Sequence, residues 1–371
     1  MNRQENKQTR ELSITGLKGV CCCLIAFFWH YQTLIDYEIP DVPVFKLFPL
    51  TCSHSWLATD VFFVLSGLGI TLGYKDKIYN HNIRFFDYMK KRIGSVYPLH
   101  IFTMIVIGIL QHFYMANNGF YLAHYEYDEF HLLLNILLVQ NGLLGVEQSF
   151  NGPAWFLSIV LGMYILFYLI TYISGKLKTT LFYKSMMVLF IISGSVIYYN
   201  YLAYPIFNHF TARGLISFSI GMLIAEYYKS TNRKHSDIVG IIGLIIAVAF
   251  YFYTYTNIKT EYFPLKETLV FFLIVSPSIV LTALFFTPIK KLLSTKVFLY
   301  LGDISMYIYL VHMPLQVGLS LLFKNSDVFK SFIMYFVYLA LTIVLAELTK
   351  RAQKLIASKL RKTTNKCTMP Q

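Results

Sequence analysis

The sequence predicts an all-α, polytopic membrane protein with about ten transmembrane helices. Of its 371 residues, 56% are hydrophobic and only 14% are charged, and the mean hydropathy is +0.54. A water-soluble chain of this length needs far more charge to cover its surface. The apolar residues fall in runs of about 17 to 26, each long enough for a helix to cross roughly 30 Å of hydrocarbon. A water-soluble fold is therefore excluded.

Ten apolar segments divide the chain into one membrane domain, residues 14–348, and two short tails, 1–13 and 349–371. The predicted spans are 14–35, 56–73, 96–115, 155–173, 185–201, 211–228, 238–255, 268–288, 297–322 and 332–348. The apolar stretch 130–144 is shorter and contains Asn135, Gln140 and Asn141. It predicts an interfacial or re-entrant helix rather than a span.

The net charge of +13 is explained by membrane orientation and needs no nucleic-acid partner. If the amino terminus is cytoplasmic and the spans alternate, 25 of the 32 Lys and Arg residues lie in cytoplasmic segments, five in external loops and two within spans. This bias recurs loop by loop and follows the positive-inside rule. The charge pattern therefore predicts an even number of spans with both termini in the cytoplasm.

The cytoplasmic segment 74–95 carries six of these basic residues interleaved with aromatic ones. Such a pattern is typical of a basic amphipathic helix on anionic headgroups. The alternative is an anion-binding surface at the cytoplasmic mouth of a site.

Ionisable residues inside a membrane are costly, so each indicates a function by default. The spans contain Lys18, His30, Asp60, His100, His112, Arg213, Glu226, Asp303, His312 and Glu347. Glu226 and Glu347 lie near cytoplasmic ends, where a side chain can reach water, and His100 and His112 are interpreted as interfacial or packed residues. The other six require a functional explanation.

Lys18 and His30 lie on the first predicted helix, about 18 Å apart at a rise of 1.5 Å per residue. Lys18 is placed near the cytoplasm as a cation for an anionic group, and His30 towards the outside, where an imidazole suits proton transfer. The alternative is two unrelated residues, one reaching towards the headgroups and one in an aqueous vestibule.

Six segments together resemble the membrane acyltransferase-3 family, in the order and spacing of that family's motifs. They are GLKGVCCCLIAFFWHY (16–31), TDVFFVLSGLGI (59–70), KKRIGSVYPLH (90–100), NGPAWFLSIVLGMY (151–164), RGLISFSIGML (213–223) and LGDISMYIYLVHMPL (301–315). The resemblance covers residues 14 to 315 and implies ten spans with a cytoplasmic amino terminus.

Three departures from the family pattern stand out. Eleven residues separate Lys18 from His30 where the family commonly has ten, which turns the two side chains to different helix faces unless a π-bulge near 21–23 absorbs the extra residue. Val160 and Leu161 replace glutamates that many members have. Ser95 stands where a second Arg often follows the first.

The resemblance implies transfer of an acyl group, usually acetyl, from cytoplasmic acyl-CoA to a hydroxyl of an extracytoplasmic glycan such as capsular or O-antigen polysaccharide. For that reaction we expect His30 to act as general base, with Asp60 orienting it or sharing its charge. An acyl-histidine intermediate is a less favoured variant. The expected donor-binding cations are Lys18, Lys91, Arg92 and Arg213. The expected acceptor-side or structural residues are Trp155, Ser158, Asp303, Tyr307 and His312. Acetyl-CoA is a co-substrate, and no bound cofactor or metal is expected.

The expected partners are acyl-CoA, a glycan or lipid-linked saccharide, and the bilayer, with no nucleic acid, in a bacterial plasma membrane. The main alternative is a lipid-linked glycan polymerase or transporter without acyl transfer. Polymerases usually have arginines in a large external loop, whereas the longest external segment here, 116–154, has no Lys or Arg. A non-enzymatic sensor or scaffold is a further alternative, because the glutamates are missing.

Overall fold

The computed structural model describes residues 11–35, 42–47, 53–122, 126–141, 148–231, 236–257, 263–323 and 325–367. In these ranges the chain is helical, and its only β-structure is two isolated bridges. Most of the predicted amino-terminal tail and the last four residues of the carboxy-terminal tail lie outside the described residues.

Within the described ranges, ten helices of 20 residues or more form the bundle. They are α1 (Leu12–Ile35), α2 (Ala58–Tyr79), α3 (Phe85–Asn118), α4 (Trp155–Lys176), α5 (Thr180–Tyr199), α6 (His209–Ser230), α7 (Ser236–Asn257), α8 (Leu265–Phe285), α9 (Lys296–Leu322) and α10 (Phe332–Cys367). Nine of these described helices are long and apolar enough to cross a membrane. The predicted all-α, polytopic membrane fold is thereby confirmed, while the cytoplasmic position of both termini stays a prediction.

Helix α6 corresponds to the sixth predicted span, but unlike the other nine long helices it contains no 18-residue stretch apolar enough for a membrane span. Its side chains are mostly buried against protein, among them Arg213, Ser217 and Ser219. A helix that faces other helices need not be apolar, because small and polar residues serve helix contacts inside membranes. The low hydropathy of α6 therefore reflects its position at the centre of the bundle.

Helices α2 and α6 touch backbone to backbone. A Cβ atom on Gly67 would lie 2.0 Å from the carbonyl oxygen of Phe218, and one on Gly221 would lie 2.0 Å from that of Val64. Only glycine permits this approach. The close packing fixes the position of Asp60 relative to Arg213.

Helix α1 packs in the same way against α9, where a Cβ on Gly302 would lie 2.0 Å from the carbonyl oxygen of Thr15. Within α1, an α-helix (Leu12–Cys23) continues as a π-helix (Leu24–Trp29) and then as a 3₁₀-helix (His30–Ile35). The change of helical repeat that the spacing of Lys18 and His30 predicts is present, starting one residue after Cys23.

The stretch predicted to be interfacial or re-entrant forms the short helix Glu129–Leu137. Near its end, the carbonyl oxygen of Asn135 accepts a hydrogen bond from Nε2 of His100 at 2.8 Å. His100 lies about 27 Å along α3 from Asn118, the last residue of that helix. The helix is too short for a span, and its contact with His100 favours the re-entrant alternative over the interfacial one.

The basic segment 74–95 does not form a separate helix. Helix α2 ends at Tyr79, and α3 begins at Phe85 and runs without a break past Pro98. Arg84 is the N-cap residue of a long helix, and Lys90, Lys91 and Arg92 lie in its first turns. This helix is about 51 Å in length and continues into the bundle.

Candidate active site

Two cavities lie in the bundle on either side of Tyr309, which lines both. The first, the Lys18 cavity, has a volume of about 300 Å³ and includes Lys18, Ser66, Arg92, Tyr164 and Ser305 among its lining residues. The second, the His30 cavity, has a volume of about 270 Å³ and includes Trp29, His30, Trp56, Trp155, Phe210 and Arg213. Helix α1 thus contributes its lysine to one cavity and its histidine to the other.

His30 is hydrogen-bonded to His312, with Nδ1 of His30 2.8 Å from Nε2 of His312. Nδ1 of His312 lies 3.1 Å from the carbonyl oxygen of Ile308, which can only accept, so this nitrogen carries the proton. Nε2 of a neutral His312 is then the acceptor, and Nδ1 of His30 must donate. This assignment leaves Nε2 of His30 as the ring nitrogen with the lone pair.

The backbone of His30 is held as firmly as its ring. Its carbonyl oxygen accepts hydrogen bonds from Nε2 of Gln316 at 2.9 Å and from the hydroxyl of Thr33. Gln316 also donates to the hydroxyl of Tyr338 at 3.0 Å, and Tyr338 donates to the carbonyl of Ala26 at 2.9 Å. Three helices, α1, α9 and α10, therefore fix the position of His30.

Asp60 is paired with Arg213 and not with His30. Nη2 of Arg213 donates to Oδ2 of Asp60 at 2.7 Å, and Nε donates to Oδ1 at 3.1 Å. Both side chains are buried, and the guanidinium carbon lies 4.9 Å from the ring centres of both Trp56 and Trp155. The expectation that Asp60 orients His30 is wrong, since His312, on α9, makes that hydrogen bond.

The four predicted donor-binding cations are divided among three places. Lys18 and Arg92 line the Lys18 cavity, and Nη2 of Arg92 donates to the hydroxyl of Tyr74 at 2.6 Å. Lys91 is exposed and lines a separate surface groove. Arg213 lies in the His30 cavity because α6 brings it to Asp60. Only Lys18 and Arg92 share a cavity as expected.

The two positions at which many family members have glutamates lie in the Lys18 cavity. Val160 and Leu161 both line it, so apolar side chains stand at the positions that carry acids in many members.

The five predicted acceptor-side or structural residues have different environments. Trp155 lines the His30 cavity, and His312 contacts His30 itself. Ser158 is buried and donates to the carbonyl oxygens of Asn141 and Trp155, each at 2.8 Å. Asp303 is exposed and follows Gly302, a residue of the Lys18 cavity, so it does not lie on the acceptor side. Tyr307 is half-buried on α9.

Sequence reasoning missed Trp29, Trp56 and Tyr309. The chain has three tryptophans, and all three line the His30 cavity. Their position next to motif residues was a usable signal, because Trp29 directly precedes His30 and Trp56 lies four residues before Asp60. Among the described residues, no group of three or more His, Cys, Asp or Glu side chains could hold a metal ion.

The fold and the cavities define a multi-pass membrane protein with a hydrogen-bonded histidine pair, His30 and His312, at one of two cavities that share Tyr309. Comparison with protein families identifies it further: a family model described as an acyltransferase domain matches residues 11–350. The chain therefore belongs to the membrane acyltransferase-3 family, and it is an acyltransferase. Comparisons with curated proteins and with solved structures give no match.

Proposed function

We propose that this protein transfers an acyl group, acetyl in the first instance, from cytoplasmic acyl-CoA to a hydroxyl of an extracytoplasmic glycan such as capsular or O-antigen polysaccharide. The observation that carries the proposal is the pair of cavities that share Tyr309, one lined by cations and the other by a histidine with an available lone pair. A donor entering one cavity and an acceptor entering the other would meet at the tyrosine.

The Lys18 cavity suits the phosphates and the arm of CoA. Lys18 and Arg92 supply positive charge, and a guanidinium binds phosphate oxygens with directed hydrogen bonds. Most of the other lining residues are apolar, including Phe156, Leu157 and Val160. This combination accommodates a charged head group followed by an extended, mostly apolar chain.

The distance between the two ends matches the length of that chain. Lys18 and His30 are separated by at most about 18 Å along α1, because the π-helical segment Leu24–Trp29 rises less per residue than an α-helix. The pantetheine arm is roughly 15 to 20 Å long by ordinary covalent dimensions. A thioester whose nucleotide stays at the cytoplasmic cations can therefore place its carbonyl next to His30.

The His30 cavity suits a sugar. Three tryptophans and Phe210 give it flat aromatic surfaces against which the C–H faces of a pyranose ring can stack, and Thr33, Thr59 and Gln148 add groups that can hydrogen-bond hydroxyls. An acceptor with both apolar faces and hydroxyl groups fits this lining better than a purely apolar one.

In this proposal, His30 acts as general base. Its Nε2 takes the proton of the acceptor hydroxyl while the oxygen attacks the thioester carbonyl, and the proton passes to the departing CoA thiolate. His312 holds the tautomer that leaves Nε2 unprotonated, in the way a buried acceptor orients a catalytic imidazole.

The first test is acetyl transfer by the purified protein in liposomes, with isotopically labelled acetyl-CoA and a de-O-acetylated surface polysaccharide of the source cell. We expect His30→Ala to lower the rate roughly 10²- to 10⁴-fold, the contribution of a positioned base. His112→Ala is the matched control, because His112 is an exposed histidine on α3. Transfer by His30→Ala at the rate of the unchanged protein would show that His30 is not the base.

A further inference from the structure

We infer that Arg213 is a catalytic residue whose Nη1 group donates hydrogen bonds to the oxyanion formed when the acceptor hydroxyl attacks the thioester. This inference rests on the proposed function and assigns to Arg213 a task different from binding CoA phosphates. It starts from the way in which the guanidinium is held.

The guanidinium of Arg213 makes its hydrogen bonds through Nε and Nη2. Nε and Nη2 both donate to the carboxylate of Asp60, and Nη2 also lies 3.5 Å from the carbonyl oxygen of Trp56. Among the residues that the structure describes, Nη1 has no hydrogen-bond partner. A guanidinium has five N–H donors in a fixed plane, so once Asp60 is bound the direction of the Nη1 donors is set.

The aromatic residues around Arg213 prevent the guanidinium from turning away. Its carbon lies 4.9 Å from the ring centres of Trp56 and Trp155 and 5.8 Å from that of Phe272. Such contacts stabilise a cation over an aromatic face. Donors fixed before the reaction stabilise a developing charge without the cost of reorganisation.

Arg213 and the base belong to the same small space. Both Arg213 and His30 line the His30 cavity, whose volume is about 270 Å³. In the inferred arrangement, a thioester carbonyl bound in this cavity turns its oxygen towards Arg213, and the attacking hydroxyl turns its proton towards His30.

The charges in the cavity favour a transient anion over a permanent one. Asp60 neutralises Arg213 in the resting site. A permanently anionic ligand would add an uncompensated charge in a medium of low dielectric constant. An oxyanion forms together with the imidazolium of His30. The total charge of Asp60, Arg213, His30 and the reacting groups therefore remains zero throughout the step.

The step is balanced in atoms and electrons. The acceptor oxygen forms a bond to the thioester carbon, its proton moves to Nε2 of His30, and the carbonyl electron pair moves to the oxygen, where Nη1 donates to it. Collapse restores the carbonyl, breaks the carbon–sulfur bond and releases CoA thiolate, which takes the proton from His30.

A second ion pair, with a buried lysine and a half-buried glutamate, provides a control. Lys75 and Glu226 join α2 to α6 at the other end of the same helix pair, 2.5 Å apart, and neither lines the His30 cavity. Lys75→Gln therefore reports what the loss of a buried cation between these helices does to the fold alone.

The decisive variant is Asp60→Asn with Arg213→Gln. Removing both charges avoids an unpaired buried ion, so helix packing is retained while the charged donor is lost. We expect kcat to fall roughly 10²- to 10³-fold, as for the loss of one oxyanion donor, with KM for acetyl-CoA and for glycan within about threefold and thermal stability no lower than that of Lys75→Gln. Turnover within tenfold of the unchanged protein would show that the ion pair is structural.

Arg213→Lys keeps the ion pair with Asp60. If the double variant does not fold, this variant tests whether Arg213 donates to the oxyanion. A single ammonium cannot hold Asp60 and present a second, fixed donor, so we expect kcat at least tenfold lower with unchanged KM. A kcat within threefold of the unchanged protein would overturn the inference. The proposed function fails separately, if the unchanged protein transfers no acetyl group or if His30→Ala keeps full activity.

Discussion

A histidine acts as a base only through a ring nitrogen that keeps its lone pair, so the tautomer of His30 decides what it can do. Two successive hydrogen bonds set this tautomer. The carbonyl oxygen of Ile308 places the proton of His312 on its Nδ1, and Nε2 of His312 then places the proton of His30 on its Nδ1. This chain of two hydrogen bonds needs no carboxylate. It leaves Asp60 available to hold Arg213.

His312 is therefore a positioning residue. The activity of a His312 variant should depend on whether the new side chain can accept the hydrogen bond from Nδ1 of His30. We expect His312→Phe to lower kcat roughly 10²- to 10⁴-fold, because Nδ1 of His30 loses its acceptor and the wrong tautomer becomes populated. His312→Gln, whose amide oxygen can accept the same hydrogen bond, should recover at least tenfold of that loss. The measurement is steady-state acetyl transfer by folded protein, and equal activities of the two variants would contradict this role.

Among the helices, α1 and α9 matter most for the site, since their contact sets the distance between the two histidines. Gly302 packs against the carbonyl oxygen of Thr15, and ten residues further along α9 His312 meets His30. The π-helical segment Leu24–Trp29 turns His30 relative to Lys18. Its i→i+5 hydrogen bonding accommodates the additional residue between them.

Gly302→Ala should accordingly be destabilising, because its Cβ would lie 2.0 Å from the carbonyl oxygen of Thr15 and backbone must move. We expect a cost of about 1 to 3 kcal/mol, as for overpacking elsewhere, seen as a lower melting temperature in detergent together with reduced acetyl transfer. Gly318→Ala is the control on the same helix, where a Cβ meets no atom closer than 4.0 Å. Equal melting temperatures for the two variants would show that the helices can separate without cost.

The helices themselves could be predicted from sequence, but their pairing could not. Apolar runs and basic flanks predict all ten long helices, and most of the predicted helix ends lie within a few residues of the observed ones. The spacing of Lys18 and His30 indicates a local change of helical repeat. Hydropathy contains no information on which helices are neighbours. The partners of Asp60 and His30 were therefore beyond sequence reasoning, since α6 and α9 approach α2 and α1 through glycines whose contacts emerge only in the folded bundle.

For the whole molecule, the helix directions agree with alternating spans. Asp60 meets Arg213 and Lys75 meets Glu226, so α2 and α6 run parallel. Helices α1 and α9 are also parallel, because their glycine contact and their histidine contact follow in the same order along both. Alternation requires both results, since α2 and α6 are even-numbered and α1 and α9 odd-numbered. Geometry fixes these relative directions, and the charge bias then predicts that the basic side faces the cytoplasm.

That assignment can be tested with one cysteine on each side of α3. Asn80 lies in the basic turn between α2 and α3, and Gly119 directly follows α3 at its other end; both are exposed. In a background with Cys52 and Cys367 changed to Ser, a membrane-impermeant maleimide should label Gly119→Cys in intact cells and Asn80→Cys only after permeabilisation, because 25 of 32 basic side chains hold the Asn80 side in the cytoplasm. The opposite labelling pattern would place Lys18 and Arg92 on the outer side of the membrane, where no acyl-CoA reaches them. It would refute both the predicted orientation and the proposed binding of acyl-CoA at these two residues.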